Sequence, residues 1–279
     1  MTIPNKVGVL GGGRMGAGIA HAFLAAGSEV TVVDINEDAA QAARERVEKA
    51  IRGSLDRGAE GSFESWAERL ITSTEVGDFA GFELVVEAVP ESMELKQEAF
   101  GNIAKTAPKA VIATNTSSLS VTELAATVDN DVIGLHFFNP VPASKLVEVV
   151  VAESTPEVLV AQSREWVAGL GKTAVVVKDA PGFASSRLGV AIALEAIRMV
   201  EEGVAEPRDI DNAMVLGYKF PIGPLELTDI VGLDVRLGIA EYLESTLGER
   251  FAPPQLMRDM VARGELGRKA GKGFYDYSE

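Results

Sequence analysis

The sequence has no cysteine among its 279 residues and contains only two histidines, His21 and His136. The lack of cysteine excludes disulfide bonds and any chemistry that needs a thiolate. No apolar run approaches the roughly 18 residues that a membrane span requires, and the first residues lack the pattern of a signal peptide. We therefore expect a cytoplasmic protein that does not associate with membranes.

Basic residues are also scarce, because 26 lysines and arginines stand against 41 aspartates and glutamates and give a formal net charge of -15. A nucleic-acid-binding protein relies on a basic surface to neutralise phosphates. We therefore expect no nucleic-acid partner. An anionic small molecule must be held by local positive charge that offsets the overall repulsion.

Short apolar runs alternate with helical patterns over roughly the first 180 residues. Strands are predicted at Lys6–Leu10, Glu29–Asp34, Arg69–Ser73, Leu84–Val89, Val111–Thr114, Val132–His136, Lys145–Val150 and Thr173–Val177. Helices are predicted between them at Gly13–Gly27, Asp38–Arg57, Met93–Ala104 and Val121–Ala126, and from a Thr155 cap followed by Pro156. Such alternation is typical of a mostly parallel sheet with helices on both faces.

The pattern changes at Pro181-Gly182, beyond which it is helical almost to the end. Helices are predicted at Ser186–Glu202, Pro207–Leu216, Leu225–Leu247 and Pro254–Arg263. We therefore predict two domains, a mostly parallel α/β domain over residues 1–182 and a smaller all-α domain over residues 183–279.

A glycine-rich turn joins the first predicted strand to the first helix. Its residues, Gly11-Gly12-Gly13-Arg14-Met15-Gly16, satisfy the pattern G-x-G-x-x-G. Gly11 would permit the tight turn, Gly13 would let the backbone approach a pyrophosphate, and Gly16 would allow close helix–strand packing. A purely structural turn can have the same pattern. The position between an apolar strand and a helix of small residues favours a dinucleotide site in a Rossmann-type domain.

Asp34 ends the second predicted strand, near the offset of about 20 residues expected for an acid that binds ribose hydroxyls. The next two residues are Ile35 and Asn36, and no arginine stands beside them to bind a 2′-phosphate. The sequence therefore predicts NAD as the cofactor, in preference to NADP.

His136 is the candidate general base. It ends the strand that begins at Val132, and ligands of open α/β sheets bind outside the carboxyl ends of the strands. A neutral imidazole suits the removal of an alcohol proton near neutral pH. Glu148 lies in an otherwise apolar strand, where a carboxylate needs a partner, and His136 is the natural candidate. Spacing alone leaves open a structural histidine and a glutamate that faces solvent from an edge strand.

The chain resembles the L-3-hydroxyacyl-CoA dehydrogenase family over essentially its whole length. The resemblance rests on eight segments: 11–16, 115–118, 134–140, 145–149, 179–183, 223–227, 267–269 and 271–275. The strings His-Phe-Phe-Asn-Pro at 136–140 and Lys-Leu-Val-Glu-Val at 145–149 are its most specific parts.

The resemblance implies NAD-dependent oxidation of an L-3-hydroxyacyl-CoA to the 3-ketoacyl-CoA, and the reverse reduction. It implies that His136 is the general base, that Glu148 orients it, and that Ser117 hydrogen-bonds the reacting hydroxyl. The cofactor contacts that it implies, beyond Gly11 to Gly16, are Asp34, Glu91, Lys96, Asn115 and Asn139. It also implies a homodimer joined through the helical domain, and a reaction that needs no metal.

The chain departs from the family pattern at Ser186. Relatives usually have an asparagine at this position, next to an arginine, and that asparagine is thought to contact the substrate near its carbonyl. Here the string after Pro181-Gly182-Phe183 reads Ala-Ser-Ser-Arg. If Ser186 takes the role, it must donate its hydrogen bond from a shorter side chain, and the preference for acyl groups could change.

The predicted helix after Asp34 carries a cluster of five basic residues, which are Arg44, Arg46, Lys49, Arg52 and Arg57. Such a cluster is commonly a solvated face, with Glu45 and Glu48 as neutralising partners. In members of the family this region lies near the CoA nucleotide. Arg52 and Arg57 are therefore candidates to hold the CoA phosphates.

Two other functions are compatible with a dinucleotide-binding domain. One is a related hydroxy-acid dehydrogenase that acts on a free acid or sugar acid, and the acyl-CoA form of Lys145 to Val149 argues against it. The other is a dinucleotide-binding protein without activity, which the presence of His136, Glu148 and Ser117 together disfavours. Acyl chain length and pathway are not indicated by the sequence.

Overall fold

The computed structural model describes residues 3–278. The part that ends at Asp179 forms one compact unit around a sheet, and the part that begins at Ala180 forms a second unit. The sheet contains β1 (Lys6–Leu10), β2 (Glu29–Val33), β3 (Leu70–Ser73), β4 (Leu84–Glu87), β5 (Val111–Thr114), β6 (Val132–Phe137), β7 (Leu146–Val151) and β8 (Thr173–Lys178).

The strand order of the sheet is β3-β2-β1-β4-β5-β6-β7-β8. Every neighbouring pair is parallel except β6 and β7, which run antiparallel. The order reverses between β1 and β4, and ligands of open α/β sheets bind beside such a switch point. The predicted α/β class with a mostly parallel, Rossmann-type sheet is therefore confirmed.

The helices of this unit are α1 (Arg14–Ala25), α2 (Glu37–Asp56), α3 (Phe63–Ala67), α4 (Met93–Thr106), α5 (Val121–Ala125) and α6 (Glu157–Gly169). Helix α2 shows how they pack, because its buried residues Ala40, Ala43, Val47 and Ile51 recur every three or four positions and form one apolar stripe. Helix α3 was not predicted, and a capping box between Ser62 and Ser65 starts it. The predicted cap at Thr155 was wrong, because Pro156 occupies the N-cap position and the Thr155 hydroxyl donates to the Val132 carbonyl.

The second unit is helical, as predicted. It contains α7 (Ser185–Glu201), α8 (Pro207–Asn212), α9 (Pro224–Val231), α10 (Leu233–Leu247) and α11 (Gln255–Ala262). The single helix predicted over Leu225–Leu247 was wrong. Gly232 adopts a φ of 106°, in the region that L side chains avoid, and this residue separates α9 from α10.

Within residues 3–278, none of the helices combines the length and the apolar character that crossing a membrane would require.

Candidate active site

The glycine-rich turn lies between β1 and α1, and its glycines have distinct local reasons to be glycine. Gly11 has a φ of 96°, and its N–H donates to the Val33 carbonyl at 2.8 Å. A Cβ on Gly16 would lie 1.8 Å from the Gly11 carbonyl oxygen, so only glycine lets α1 start so close to the turn. Gly13 is the N-cap of α1 and has no atom within 4 Å of its Cβ position. Its backbone is therefore open to an approaching anion.

Arg14 and Met15 form the first turn of α1. The Arg14 side chain is exposed, whereas Met15 is half-buried and packs against the hydrophobic core of the unit. The Arg14 side chain is therefore free to approach a ligand at the turn, whereas part of the Met15 side chain is covered by the core.

Asp34 follows β2 and faces the same turn. Its Oδ2 accepts a hydrogen bond from the Gly12 N–H at 2.7 Å, and its Oδ1 accepts one from the Ile35 N–H at 2.7 Å. The carboxylate is therefore fixed beside the glycine turn. Ile35 beyond it is 85% exposed, which leaves an apolar side chain uncovered at the edge of this site.

Glu91 organises the loop after β5. Its Oε1 accepts hydrogen bonds from the Thr116 hydroxyl at 2.7 Å, from the Ser117 N–H at 2.8 Å, and from the Ser117 hydroxyl at 3.0 Å. The Ser118 N–H also donates to it, at 3.1 Å. The pKa of Glu91 lies below its ordinary value, because burial, which alone would raise it, is outweighed by Lys96 and by the hydrogen bonds from Thr116 and Ser117. Glu91 thus holds Ser117 in place.

Lys96 is only 1% exposed and lies in an ionic network behind Glu91. Its Nζ lies 2.8 Å from Glu87 Oε1 and 3.5 Å from Glu91 Oε2. Glu87 is fully buried, and the Thr114 hydroxyl donates to its second oxygen at 2.6 Å. The sequence reasoning missed Glu87. A carboxylate that ends the apolar run 84–87, nine residues before a lysine, was the available signal.

Asn115 and Asn139 lie at the ends of adjacent strands. The Oδ1 of Asn115 accepts a hydrogen bond from the Phe137 N–H at 2.9 Å, which ties β5 to the end of β6. Asn139 is exposed, two residues beyond β6, and precedes a cis peptide bond to Pro140.

His136 and Glu148 form a buried pair. They are opposite each other in the antiparallel register of β6 and β7, and their side chains are 8% and 1% exposed. Nδ1 of His136 lies 2.9 Å from Glu148 Oε2. Because β8 covers the other side of β7, the interpretation of Glu148 as a solvent-facing residue on an edge strand was wrong. Nδ1 of His136 therefore faces the Glu148 carboxylate, which would accept a hydrogen bond from Nδ1–H.

The strand order brings these groups to one edge of the sheet. Strands β1, β4, β5 and β6 are consecutive neighbours and run parallel. Their carboxyl ends therefore carry, in order, the glycine turn, the Glu87–Glu91 segment, the Asn115–Ser118 segment and His136. One edge of the sheet thus combines the glycine turn with a histidine–carboxylate pair. Across residues 3–278, no cluster of three or more histidine, aspartate or glutamate side chains could hold a metal ion.

The basic residues of α2 have different local partners. Nη1 of Arg44 lies 3.3 Å from Glu48 Oε1, and the same guanidinium donates to the Leu70 carbonyl. Arg44 therefore links α2 to β3. The Arg52 guanidinium lies 3.8 Å from the centre of the Phe63 ring, and Arg57 donates to the Ser54 hydroxyl at 3.4 Å. Arg52 is thus close to the start of α3, and both arginines lie at the C-terminal end of α2.

The remaining predicted residue, Ser186, belongs to the first turn of α7 in the second unit.

The other histidine, His21, packs inside the first unit, where its Nε2 lies 2.9 Å from the Ser54 hydroxyl. Burial, together with the charges of Arg57 and Lys172, lowers the pKa of His21 to about 4. His21 is therefore neutral at physiological pH, and it is not part of the sheet edge that carries His136.

Two family models match the chain. The model described as "3-hydroxyacyl-CoA dehydrogenase, NAD binding domain" matches residues 6–180, and the model described as "3-hydroxyacyl-CoA dehydrogenase, C-terminal domain" matches residues 182–277. Together they account for nearly the whole chain.

Individual proteins are similar over the same length. A probable 3-hydroxybutyryl-CoA dehydrogenase of Bacillus subtilis is 41% identical over 280 residues, which cover 98% of each chain. The 3-hydroxybutyryl-CoA dehydrogenase of Mycobacterium tuberculosis H37Rv is also 41% identical, with the same coverage. The crystal structure of (S)-3-hydroxybutyryl-CoA dehydrogenase from Ralstonia eutropha is 37% identical and superposes with a TM-score of 0.93, covering 99% of this chain and 100% of that one.

Proposed function

Because the chain belongs to the 3-hydroxyacyl-CoA dehydrogenase family, we propose that it oxidises an L-3-hydroxyacyl-CoA to the 3-ketoacyl-CoA with NAD, and that His136 is its general base. The observation that carries the proposal is the buried pair of His136 and Glu148, with 2.9 Å between Nδ1 and Oε2, at the sheet edge that also carries the glycine turn.

The residues around the glycine turn fit NAD. The uncovered backbone of Gly13 at the start of α1 suits a pyrophosphate, and the Asp34 carboxylate beside the turn suits the two hydroxyls of a ribose. The same carboxylate would repel a 2′-phosphate, which favours NAD over NADP. Further contacts are proposed for Gly11, Gly12, Arg14, Met15, Gly16, Glu91, Lys96, Asn115 and Asn139. When bound, NAD supplies the acceptor for the hydride that leaves C3 of the substrate.

The chain's own residues handle the proton. Nε2 of His136 takes the proton of the 3-hydroxyl as the C3–H bond breaks, so the carbinol becomes a carbonyl and one proton remains on the imidazole. Glu148 holds Nδ1–H and stabilises the imidazolium that forms. In the reverse direction the imidazolium returns the proton to the oxygen of the 3-ketoacyl group.

Ser117 and Ser186 are proposed to position the substrate. The Glu91 carboxylate fixes both the N–H and the hydroxyl of Ser117, which supports a role for this serine in orienting the reacting oxygen. Ser186 is proposed to contact the substrate near its thioester carbonyl. Arg52 and Arg57 are proposed to hold phosphates of CoA, whose anionic nucleotide needs local positive charge on this acidic protein.

A homodimer joined through the C-terminal unit and a cytoplasmic location complete the proposal. Apolar side chains of that unit that are exposed in the single chain, such as Leu188, Val204 and Leu216, support a partner surface there. Light scattering of the purified protein measures its mass in solution, and fractionation of the source cells tests the location. A monomeric mass would remove the dimer from the proposal.

The decisive assay follows the loss of NADH absorbance with acetoacetyl-CoA as substrate. We expect turnover with NADH and much slower turnover with NADPH. His136→Ala should abolish turnover and leave NADH binding intact. If the wild-type protein binds NADH but does not reduce acetoacetyl-CoA, a hydroxy acid without CoA becomes the better substrate hypothesis.

A further inference from the structure

The second unit contains a buried arginine that the proposed mechanism does not use. Arg236 lies on the inward face of α10, on the same helical stripe as the buried Leu233, Ala240 and Leu243. Its side chain is only 6% exposed. Arginine is almost never buried to this extent unless a partner compensates its charge.

No compensating group is found for Arg236 within residues 3–278, where its side chain makes neither a hydrogen bond nor an ion pair, and its Nε is buried without a partner. Lys96 illustrates the normal arrangement, because this cation, which is 1% exposed, has Glu87 at 2.8 Å. Burial lowers the pKa of Arg236 to about 10, so the guanidinium still carries its charge at neutral pH. An unpaired buried charge is costly, which implies a partner that the single chain does not supply.

The end of the guanidinium packs against α7 at Gly189. A Cβ at that position would lie 3.2 Å from Nη1 of Arg236, closer than a relaxed contact, so the glycine makes room for the arginine. Gly189 is one helical turn after Ser186 and lies on the same face of α7. The guanidinium is therefore held between α7 and α10, one turn from the serine to which we assign a substrate contact.

We propose that Arg236 binds a carboxylate at the far end of the acyl chain, and that dicarboxylic 3-hydroxyacyl-CoA esters are the preferred substrates. The inference rests on the proposed function, and in particular on the role of Ser186 near the thioester carbonyl. Guanidinium is suited to this task because its fork of N–H donors matches a carboxylate in a bidentate geometry.

The geometry also limits the length of the acyl group. Side chains one helical turn apart are separated by roughly 5–6 Å, about the span of four carbon–carbon bonds in an extended chain. An acyl group of about six carbons therefore reaches from the Ser186 turn to Arg236.

A second copy of the chain could also offer a carboxylate to Arg236. The position of the guanidinium between two helices, with 6% exposure, favours the end of a thin acyl chain over a side chain on a protein surface.

The test uses two substrates of equal length, 3-ketoadipyl-CoA, which ends in a carboxylate, and 3-ketohexanoyl-CoA, which ends in a methyl group. We expect the wild-type protein to favour 3-ketoadipyl-CoA at least tenfold in kcat/KM. Arg236→Met should lower kcat/KM for 3-ketoadipyl-CoA by about 100-fold, because a buried charged partner is lost. It should change the value for 3-ketohexanoyl-CoA by less than about threefold. Arg236→Lys keeps the charge but loses the forked pair of N–H donors. Its kcat/KM for 3-ketoadipyl-CoA should lie between those of the wild-type protein and Arg236→Met.

Arg263→Met is the matched control, because Arg263 lies in the same unit but is exposed and paired with Glu265 at 2.7 Å. Arg263→Met should leave the ratio of the kcat/KM values for the two substrates unchanged. A readout without turnover compares adipyl-CoA with hexanoyl-CoA as stabilising ligands in thermal unfolding. Adipyl-CoA should raise the Tm of the wild-type protein more than hexanoyl-CoA does, and Arg236→Met should remove the difference.

Three results would overturn the proposal. One is a wild-type protein that reduces both substrates equally well. Another is an equal loss of activity on both substrates in Arg236→Met and Arg236→Lys. The third is a lower assembly mass in the Arg236 variants, which would give the guanidinium a partner in a second copy. Failure to reduce any of the three esters, acetoacetyl-CoA, 3-ketohexanoyl-CoA and 3-ketoadipyl-CoA, would instead contradict the proposed function.

Discussion

Nδ1 of His136 and Oε2 of Glu148 lie 2.9 Å apart because the two residues are directly opposite each other in the only antiparallel strand pair of the described sheet. Cross-strand neighbours have Cβ atoms about 5 Å apart, which is the right separation for an imidazole and a carboxylate to meet. A parallel β7 would require another register and another partner. The change of strand direction after β6 therefore creates the histidine–carboxylate pair.

The first prediction concerns Glu148→Gln, which keeps the shape of the side chain and removes its charge. The imidazolium that forms during oxidation then loses its buried counter-charge, so kcat should fall by roughly 10²–10⁴-fold while the Kd of NADH stays unchanged. Stopped-flow turnover and NADH fluorescence titration measure the two quantities. Glu153→Gln is the control, because Glu153 is exposed just beyond the same strand. Equal kcat values in the two variants would make Glu148 a structural residue only.

The sheet was readily predicted because parallel strands buried on both faces give continuous apolar runs, such as Val7 to Leu10 and Leu84 to Val86. The pairing of His136 with Glu148 was left open by spacing, since spacing gives neither strand direction nor register. Similarly, Gly232 occurs within an otherwise helical pattern, and an isolated glycine there is often tolerated. Its φ of 106° depends on how α9 and α10 pack, which a local pattern does not contain.

Glu87 illustrates another limit of sequence reasoning. Lys96 and Glu91 were predicted only as cofactor contacts, and the structure places a fully buried carboxylate directly behind them. A long-range network of this kind depends on side chains from β4, β5 and α4 that converge in three dimensions. Pair separations along the chain do not reveal such convergence.

A second prediction concerns cofactor choice at Asp34. Asp34→Asn removes the negative charge that we propose to face the ribose, and it weakens the hydrogen bond from the Gly12 N–H. The KM for NADH should rise by about tenfold, and the ratio of activity with NADPH to that with NADH should increase because repulsion of the 2′-phosphate is lost. Asp38→Asn, an exposed residue of α2 with the same charge, should change neither value. Wild-type protein that uses NADPH as readily as NADH would contradict this interpretation.

A third prediction concerns acid stability and Glu91. Its pKa in the folded protein lies below the ordinary value of 4.5, so the unfolded chain binds the proton more readily. The stabilisation from the ionised carboxylate is therefore complete above pH 4.5 and is lost as the pH falls through the lower folded pKa. Glu91→Gln should thus destabilise the protein at pH 7 and should do so less in acid. Urea unfolding of both proteins across that pH range measures the difference in their free energies of unfolding. If this difference did not change with pH, Glu91 would contribute no ionic stabilisation.

The last prediction separates CoA recognition from catalysis. Arg52 and Arg57 lie at the C-terminal end of α2, whereas Arg44 is already paired with Glu48 and the Leu70 carbonyl. Replacing both Arg52 and Arg57 with glutamate should raise the KM for acetoacetyl-CoA by about tenfold or more, because phosphate contacts become repulsive. The KM for acetoacetyl-pantetheine, which lacks the nucleotide, should remain nearly constant. Exchanging the exposed Lys105 and Lys109 for glutamate alters the net charge equally and serves as the control. If both variants affect the two thioesters alike, the basic face of α2 is only a solvated surface, and the CoA nucleotide binds elsewhere.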